Sequence, residues 1–140
     1  MKINLRKTHK TLFALYLLVG IMNTIEGMSA ILFGTSYVSS SFKVILSVAP
    51  IQLWGVFALI GGLTILSGLL LQRFWISRIG MMLAFVYTST FAVSFVIALF
   101  VGNIAGPTAI TKWLATSIAM LYIIHEPPVN IMTVRGKKNG

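Results

Sequence analysis

The sequence predicts an all-α integral membrane protein: four transmembrane helices in a compact bundle, with both termini on the cytoplasmic side. Three observations predict it. Apolar residues make up 57% of the 140 positions and charged residues only 9%, where a soluble domain carries roughly 25% charged residues. The mean hydropathy is +0.93. The apolar residues also gather into four stretches near the length of about 20 residues that carries a helix across a bilayer.

The elements follow in order, as one membrane domain over residues 1–140. A basic tail, residues 1–10, leads into a first span at about 11–34. A basic start followed by Leu12–Met22 also has the form of a secretory signal, with Gly27 and Ser29 as small residues near a cleavage point. The apolar character continues through Ile31, Leu32 and Phe33, so the stretch is long enough to span, and retention is expected. Thr35–Lys43, TSYVSSSFK, reads as a short serine-rich outer loop. Val44–Ala49 reads as an interfacial segment before a second span at about 50–71, with a span that starts near Phe42 and kinks as the alternative. Pro50 suits a first helical turn and resists an interior position. A loop carrying Arg73, Phe74, Trp75 and Arg78 then precedes a third span at about 79–101. Gly102–Thr108, GNIAGPT, is an outer turn in which Pro107 opens the fourth span, about 109–124. That span is the shortest and needs Lys112 to snorkel toward the headgroups; an interfacial or re-entrant helix is its alternative. Pro127 and Pro128 stop it, and residues 125–140 form a polar tail.

Orientation comes from the basic residues. Lys2, Arg6, Lys7, Lys10, Arg73, Arg78, Arg135, Lys137 and Lys138 fall on one side, against Lys43 and Lys112 on the other. Basic residues accumulate in cytoplasmic loops, so both tails are expected in the cytoplasm and the location is a bacterial-type inner membrane. The same bias accounts for the formal charge of +9 without nucleic acid as a partner. Trp54, Trp75 and Trp113 lie near span boundaries and are expected to act as interfacial anchors.

Helices in lipid associate by close packing and polar contacts, since lipid tails are as apolar as leucine. Gly20, Asn23, Gly27, Ala30 and Gly34 form one helical stripe in the first span. Ala58, Gly61, Thr64 and Gly68 form a row in the second, and Gly80, Ala84, Thr88 and Ala92 one in the third. Such seams serve packing within the chain, or self-association through a seam left over. Glu26 is the one acidic residue inside a span. A carboxylate at that depth must be protonated, paired or wet, and Lys43 or Lys112 might reach it from the outer side, with Asn23 a hydrogen-bond candidate. The third span adds Tyr87, Thr88, Ser89, Thr90 and Ser94. Their hydroxyls can bond back to their own helix, or, with Glu26, Asn23 and Thr64, line a narrow hydrated path.

Several chemistries are set aside. There is no cysteine and no aspartate, and His9 and His125 lie at span ends, so no metal, haem or other cofactor is expected. No Ser-His-Asp grouping, phosphate loop or dinucleotide fingerprint is present, and His125-Glu126 reads as a polar helix end. An enzyme is not expected. Four spans with a glutamate in the first resemble the small multidrug resistance transporters, although the charge bias and the longer tails depart from that family. Val19–Thr24, VGIMNT, resembles the opening of the GtrA-like flippases, without that family's asparagine-aromatic pattern in the second span. The basic end VRGKKNG resembles phage holins in composition. None of these resemblances reaches beyond one helix or beyond composition, and none assigns a family. The expectation is a non-enzymatic protein whose partners are the lipid bilayer and either a second copy or another membrane protein. It would act through helix packing as a homo-oligomer or as a subunit of a larger complex, with holin-like permeabilisation as its sharpest form. The alternative is a small proton-coupled transporter using Glu26.

Overall fold

The computed structural model describes residues 5–34, 43–100 and 107–125; of residues 5–10, 43–44, 99 and 107–110 it describes the backbone alone. The regular structure among them is entirely helical: α1 (Leu5–Phe33), α2 (Lys43–Leu46), α3 (Ile51–Leu70), α4 (Phe74–Phe100) and α5 (Pro107–His125). Within α1, α3 and α4, the segments Thr11–Phe33, Ile51–Leu70 and Phe74–Ala98 are long and apolar enough to cross a membrane. The expected fourth span falls on α5, a shorter helix of 19 residues that is not among those three. The expected N-terminal tail is corrected in part, since α1 already begins at Leu5 and residues 5–10 continue the first span as helix; residues 1–4, most of the serine-rich connection and of the GNIAGPT turn, and residues 126–140 with Glu126, Pro127 and Pro128 lie outside the described residues.

The helix boundaries have local causes. Pro50 is extended (φ −63°, ψ 148°) and α3 starts immediately after it. Its carbonyl accepts from the Leu53 and Trp54 amides. Pro107 opens α5 in the same way, because the missing amide would have no partner in the first turn. The expected loop through Arg78 is corrected. The connection is only Leu71–Arg73, and α4 begins at Phe74 rather than Ile79, so Trp75 and Arg78 are helical. The reason is a Schellman cap. Gln72 takes φ +54°, its amide bonds the Leu69 carbonyl at 3.2 Å, and the Arg73 amide bonds the Gly68 carbonyl at 2.9 Å. The last carbonyls of α3 are thereby satisfied and the chain turns back at once.

The packing reverses the pattern of a soluble protein. Leu18, Ile25, Leu32, Ile60, Leu70, Val93, Phe100 and Ile118 point outward, while Ala58, Ala84 and Ala98 are fully buried. Small residues inside let backbones approach, which is how helices hold together where lipid competes for every apolar contact. A Cβ placed on Gly27 would lie 2.6 Å from the Leu59 amide nitrogen and 2.7 Å from the Gly55 carbonyl oxygen. One on Gly62 would lie 2.7 Å from the Thr24 amide nitrogen, and one on Gly80 would lie 2.6 Å from that of Ile65. A Cβ on Gly68 would collide with the backbone of Ser77. Thus α3 carries two glycine faces: Gly55 and Gly62 meet α1, while Gly61 and Gly68 meet α4. Ser77 adds an interhelical hydrogen bond, its hydroxyl donating to the Ile65 carbonyl at 3.0 Å while fully buried.

The glycine and alanine positions read from the sequence lie within the chain's own packing, whereas Thr64 lies at the margin of its row. Gly20 approaches Leu66 and Ile65, Gly27 approaches Gly55 and Leu59, and Ala30 faces Gly55. Gly34 closes α1 in the left-handed region (φ +51°) beside Gln52. Gly61 and Gly80 meet α4 and α3 respectively, and Ala84 is buried against Gly61.

Gly27→Ala forces the α1 and α3 backbones apart and is expected to destabilise the protein by about 1–3 kcal/mol, the range of overpacking. Gly61→Ala meets its nearest neighbour at 3.3 Å and should cost markedly less. Unfolding of both variants by a denaturing detergent in mixed micelles measures the difference. Ser77→Ala should cost about 0.5–1.5 kcal/mol in the same titration.

Candidate functional site

Glu26 lies on the α1 face turned toward α5, seven residues before the helix ends. Across it, Lys112 of α5 places its Nζ 3.6 Å from Glu26 Oε1. The carboxylate side chain is 18% exposed and the ammonium-bearing side chain 58%. At 3.6 Å this is an ion pair rather than a good hydrogen bond. It neutralises a carboxylate that would otherwise stand alone among apolar side chains. The Lys112 ammonium also sits 5.6 Å from the centroid of the Trp113 ring, within range of a cation–π attraction.

A cavity of about 30 Å³ opens beside the pair, lined among others by Asn23, Glu26, Thr88, Lys112 and Thr116. That is room for about one water molecule. Asn23, 2% exposed, donates from Nδ2 to the Val19 carbonyl at 3.0 Å. Its Oδ1 is buried without a protein partner, and such a group is normally satisfied. Thr88 donates to the Ala84 carbonyl at 3.0 Å and lies 3.4 Å from the Met120 sulfur.

Of the expected path residues, Asn23, Glu26 and Thr88 therefore share one cavity. Thr64 does not join its lining; its hydroxyl donates to the Ile60 carbonyl at 2.7 Å. Three further α4 hydroxyls also bond backward: Ser89 to the Phe85 carbonyl, Thr90 to Val86 and Ser94 to Thr90. These three line a separate shallow groove with Val86 and Val93, so they do not continue the Glu26 cavity. Among the described residues no group of His, Asp or Glu could hold a metal ion.

Trp113 corrects an expectation. It is 9% exposed and stacks on Phe91 (centroids 5.0 Å apart, planes 21°) within a cluster that includes Tyr87 and Phe95. Trp54 meets Phe91 edge-on at 5.9 Å and is half-buried; Trp75 stays exposed, as an interfacial anchor would be. The cluster was readable in the four-residue spacing of Tyr87, Phe91 and Phe95, one helix face that the density of hydroxyls around it obscures. Among described residues, α5 contains no glycine and is held by these large side chains, unlike α1, α3 and α4.

Comparisons with protein-family models, with curated proteins and with solved structures find no match. The fold and site define an all-helical membrane protein with one ion pair among its described residues, and no family is assigned.

Lys112→Met leaves the Glu26 carboxylate unpaired and should destabilise the protein more than the double variant Glu26→Gln/Lys112→Met does. A coupling energy of about 1 kcal/mol is expected from a double-mutant cycle in detergent unfolding. Additive effects would mean that the two side chains do not stabilise each other.

Proposed function

We propose that the protein is a small multi-pass, non-enzymatic protein of a bacterial-type inner membrane, a four-helix bundle with both termini in the cytoplasm. In this reading it moves protons across the membrane with Glu26 as the carrier carboxyl. The observation that carries the reading is the Glu26–Lys112 pair beside a cavity with an unpartnered Asn23 oxygen. An intramembrane carboxylate is retained at a cost, and proton relays are a common reason. Lys112 supplies a tethered counter-charge. When the Glu26 carboxylate takes up a proton it becomes neutral and releases the ammonium, which is free to withdraw along its long side chain; loss of the proton draws it back. Because α5 is joined to its neighbours by side chains rather than by glycine contacts, this exchange can shift α5 without separating the other helices.

A second reading is assembly: a homo-oligomer or a subunit of a larger membrane complex, with holin-like permeabilisation as one form. The groove of Ser89, Thr90 and Ser94 on the outer side of α4 favours it. The glycine seams weigh against assembly through a leftover seam, because they are occupied within the chain.

The test is reconstitution in liposomes with an enclosed pH dye and an imposed pH gradient. Wild type should dissipate the gradient and Glu26→Gln should slow that dissipation at least about tenfold, the loss expected when a proton-transfer group is removed. A leak equal in both proteins would sink the carrier role and favour a less selective pore. No leak in either protein would favour the subunit reading.

A further inference from the structure

A second polar cluster lies at the opposite end of α1, where α4 starts and α5 stops. Tyr16, 1% exposed, packs its ring against Phe74 (centroids 5.2 Å apart), and its hydroxyl is buried with no partner. Arg78 follows Phe74 by one helical turn, and Tyr16, Phe74 and Ile124 belong to one packed cluster. Arg78 donates from Nη2 to the Ile124 carbonyl at 2.6 Å, on the last turn of α5. Its Nε is buried and unpartnered. Two buried donors from different helices, one of them on a guanidinium, thus converge on one junction and go unused.

Among the described residues the charge is unanswered as well. The chain has two carboxylates, and Glu26 is held by Lys112 at the far end of α5. The other, Glu126, lies outside the described residues. A partly buried cation without a counter-ion is costly, as is a buried phenol without an acceptor. A single anion satisfies both. On this edge of the guanidinium, the unpartnered Nε–H and the second N–H of Nη2, beyond the one given to Ile124, form a fork that fits two oxygens of a phosphate. A water molecule would satisfy the hydroxyl but leave the charge.

We infer that the junction of α1, α4 and α5 around Tyr16 and Arg78 binds a phosphate-type anion, supplied by a phospholipid headgroup or by free phosphate. Basic pockets between transmembrane helices are a recurrent place for anionic headgroups. Tyr16 lies five residues into the apolar segment of α1 and Arg78 four into that of α4, a depth that a headgroup phosphate reaches when an arginine draws it inward. The site is independent of any role for Glu26.

The test uses the full chain, delipidated in neutral detergent. Phosphatidylglycerol, diacylglycerol of the same acyl chains and inorganic phosphate are added separately, with thermal stability and native mass spectrometry as readouts. Phosphatidylglycerol should be retained and should raise the melting temperature, while diacylglycerol should do neither. Stabilisation by inorganic phosphate as well would identify free phosphate as a sufficient source; stabilisation by phosphatidylglycerol alone would identify the lipid. Tyr16→Phe keeps the ring packing. It should weaken retention about tenfold, yet leave the delipidated protein as stable as wild type or more so, because it removes an unsatisfied group. Arg78→Lys keeps the charge and loses the fork, and should weaken retention at least as much. The inference is overturned if Tyr16→Phe and Arg78→Lys bind like wild type, or if diacylglycerol stabilises as well as phosphatidylglycerol. It is also overturned if Glu126→Gln destabilises the delipidated protein as much as Arg78→Lys does, since the chain's own carboxylate would then hold the guanidinium.

Discussion

Close approach of backbones at glycine is the constraint on which the rest of the structure depends. In lipid, leucine on leucine gains little over leucine on an acyl chain, so helix association needs contacts that lipid cannot make. Gly27 against Gly55 and Leu59, Gly62 against Thr24, and Gly68 against Ser77 supply them. Many of the bulky side chains of α1 and α3, such as Leu18, Ile25, Leu32, Ile60 and Leu70, are then displaced outward and form the external surface. The same contacts bring the Ser77 hydroxyl within reach of the Ile65 carbonyl, a hydrogen bond that a wider spacing would abolish. What the glycines do not join is α5, and apart from Ser77 the buried polar side chains Asn23, Thr88 and Ser117 lie beside or on that helix.

Much of this was legible in the sequence, for reasons that can be named. Span positions follow from apolar length alone, which is why Ile51–Leu70 was found almost to the residue. The α1 stripe was legible because three- and four-residue spacings place Gly20, Gly27 and Ala30 on one face. In α3 the same logic found one face of two. Gly61 and Gly68 were grouped, while Gly55 and Gly62, seven apart and offset by one position, were passed over although they form the seat for α1. Thr64 shares the ideal spacing of the row but lies at its margin, and its hydroxyl turns to its own helix. The start of α4 was hidden because Gln72 occupies a backbone conformation that glycine or asparagine usually announces. Trp113 was read from its distance to a span end, whereas ring stacking on Phe91 decides its place.

The polar site was half legible. Glu26 stood out as the acidic residue inside a span, and Lys112 was a candidate partner because a long side chain can reach inward. Their meeting depends on the placement of α5, which no local pattern encodes. The Tyr16–Arg78 cluster was invisible for a different reason: Arg78 was assigned to a loop, where a guanidinium is solvated and needs no explanation. Moving it onto a helix turned an ordinary topogenic charge into a buried donor. The two clusters bracket α5, one near its first turns and one at its last carbonyls, so the position of this helix is set by charges at its ends and aromatic rings between them.

The three-residue connection between α3 and α4 bears on how the chain enters a membrane. The Schellman cap bonds the amides of the turn back to α3, and Ser77 ties the two helices together only a few residues beyond it. A connection this short gives neither helix room to insert and settle independently of the other. The cap and the Ser77 bond hold α3 and α4 as one closed hairpin. The hairpin thereby presents the ready-made surface of Gly55 and Gly62 on which α1, synthesised earlier, comes to rest.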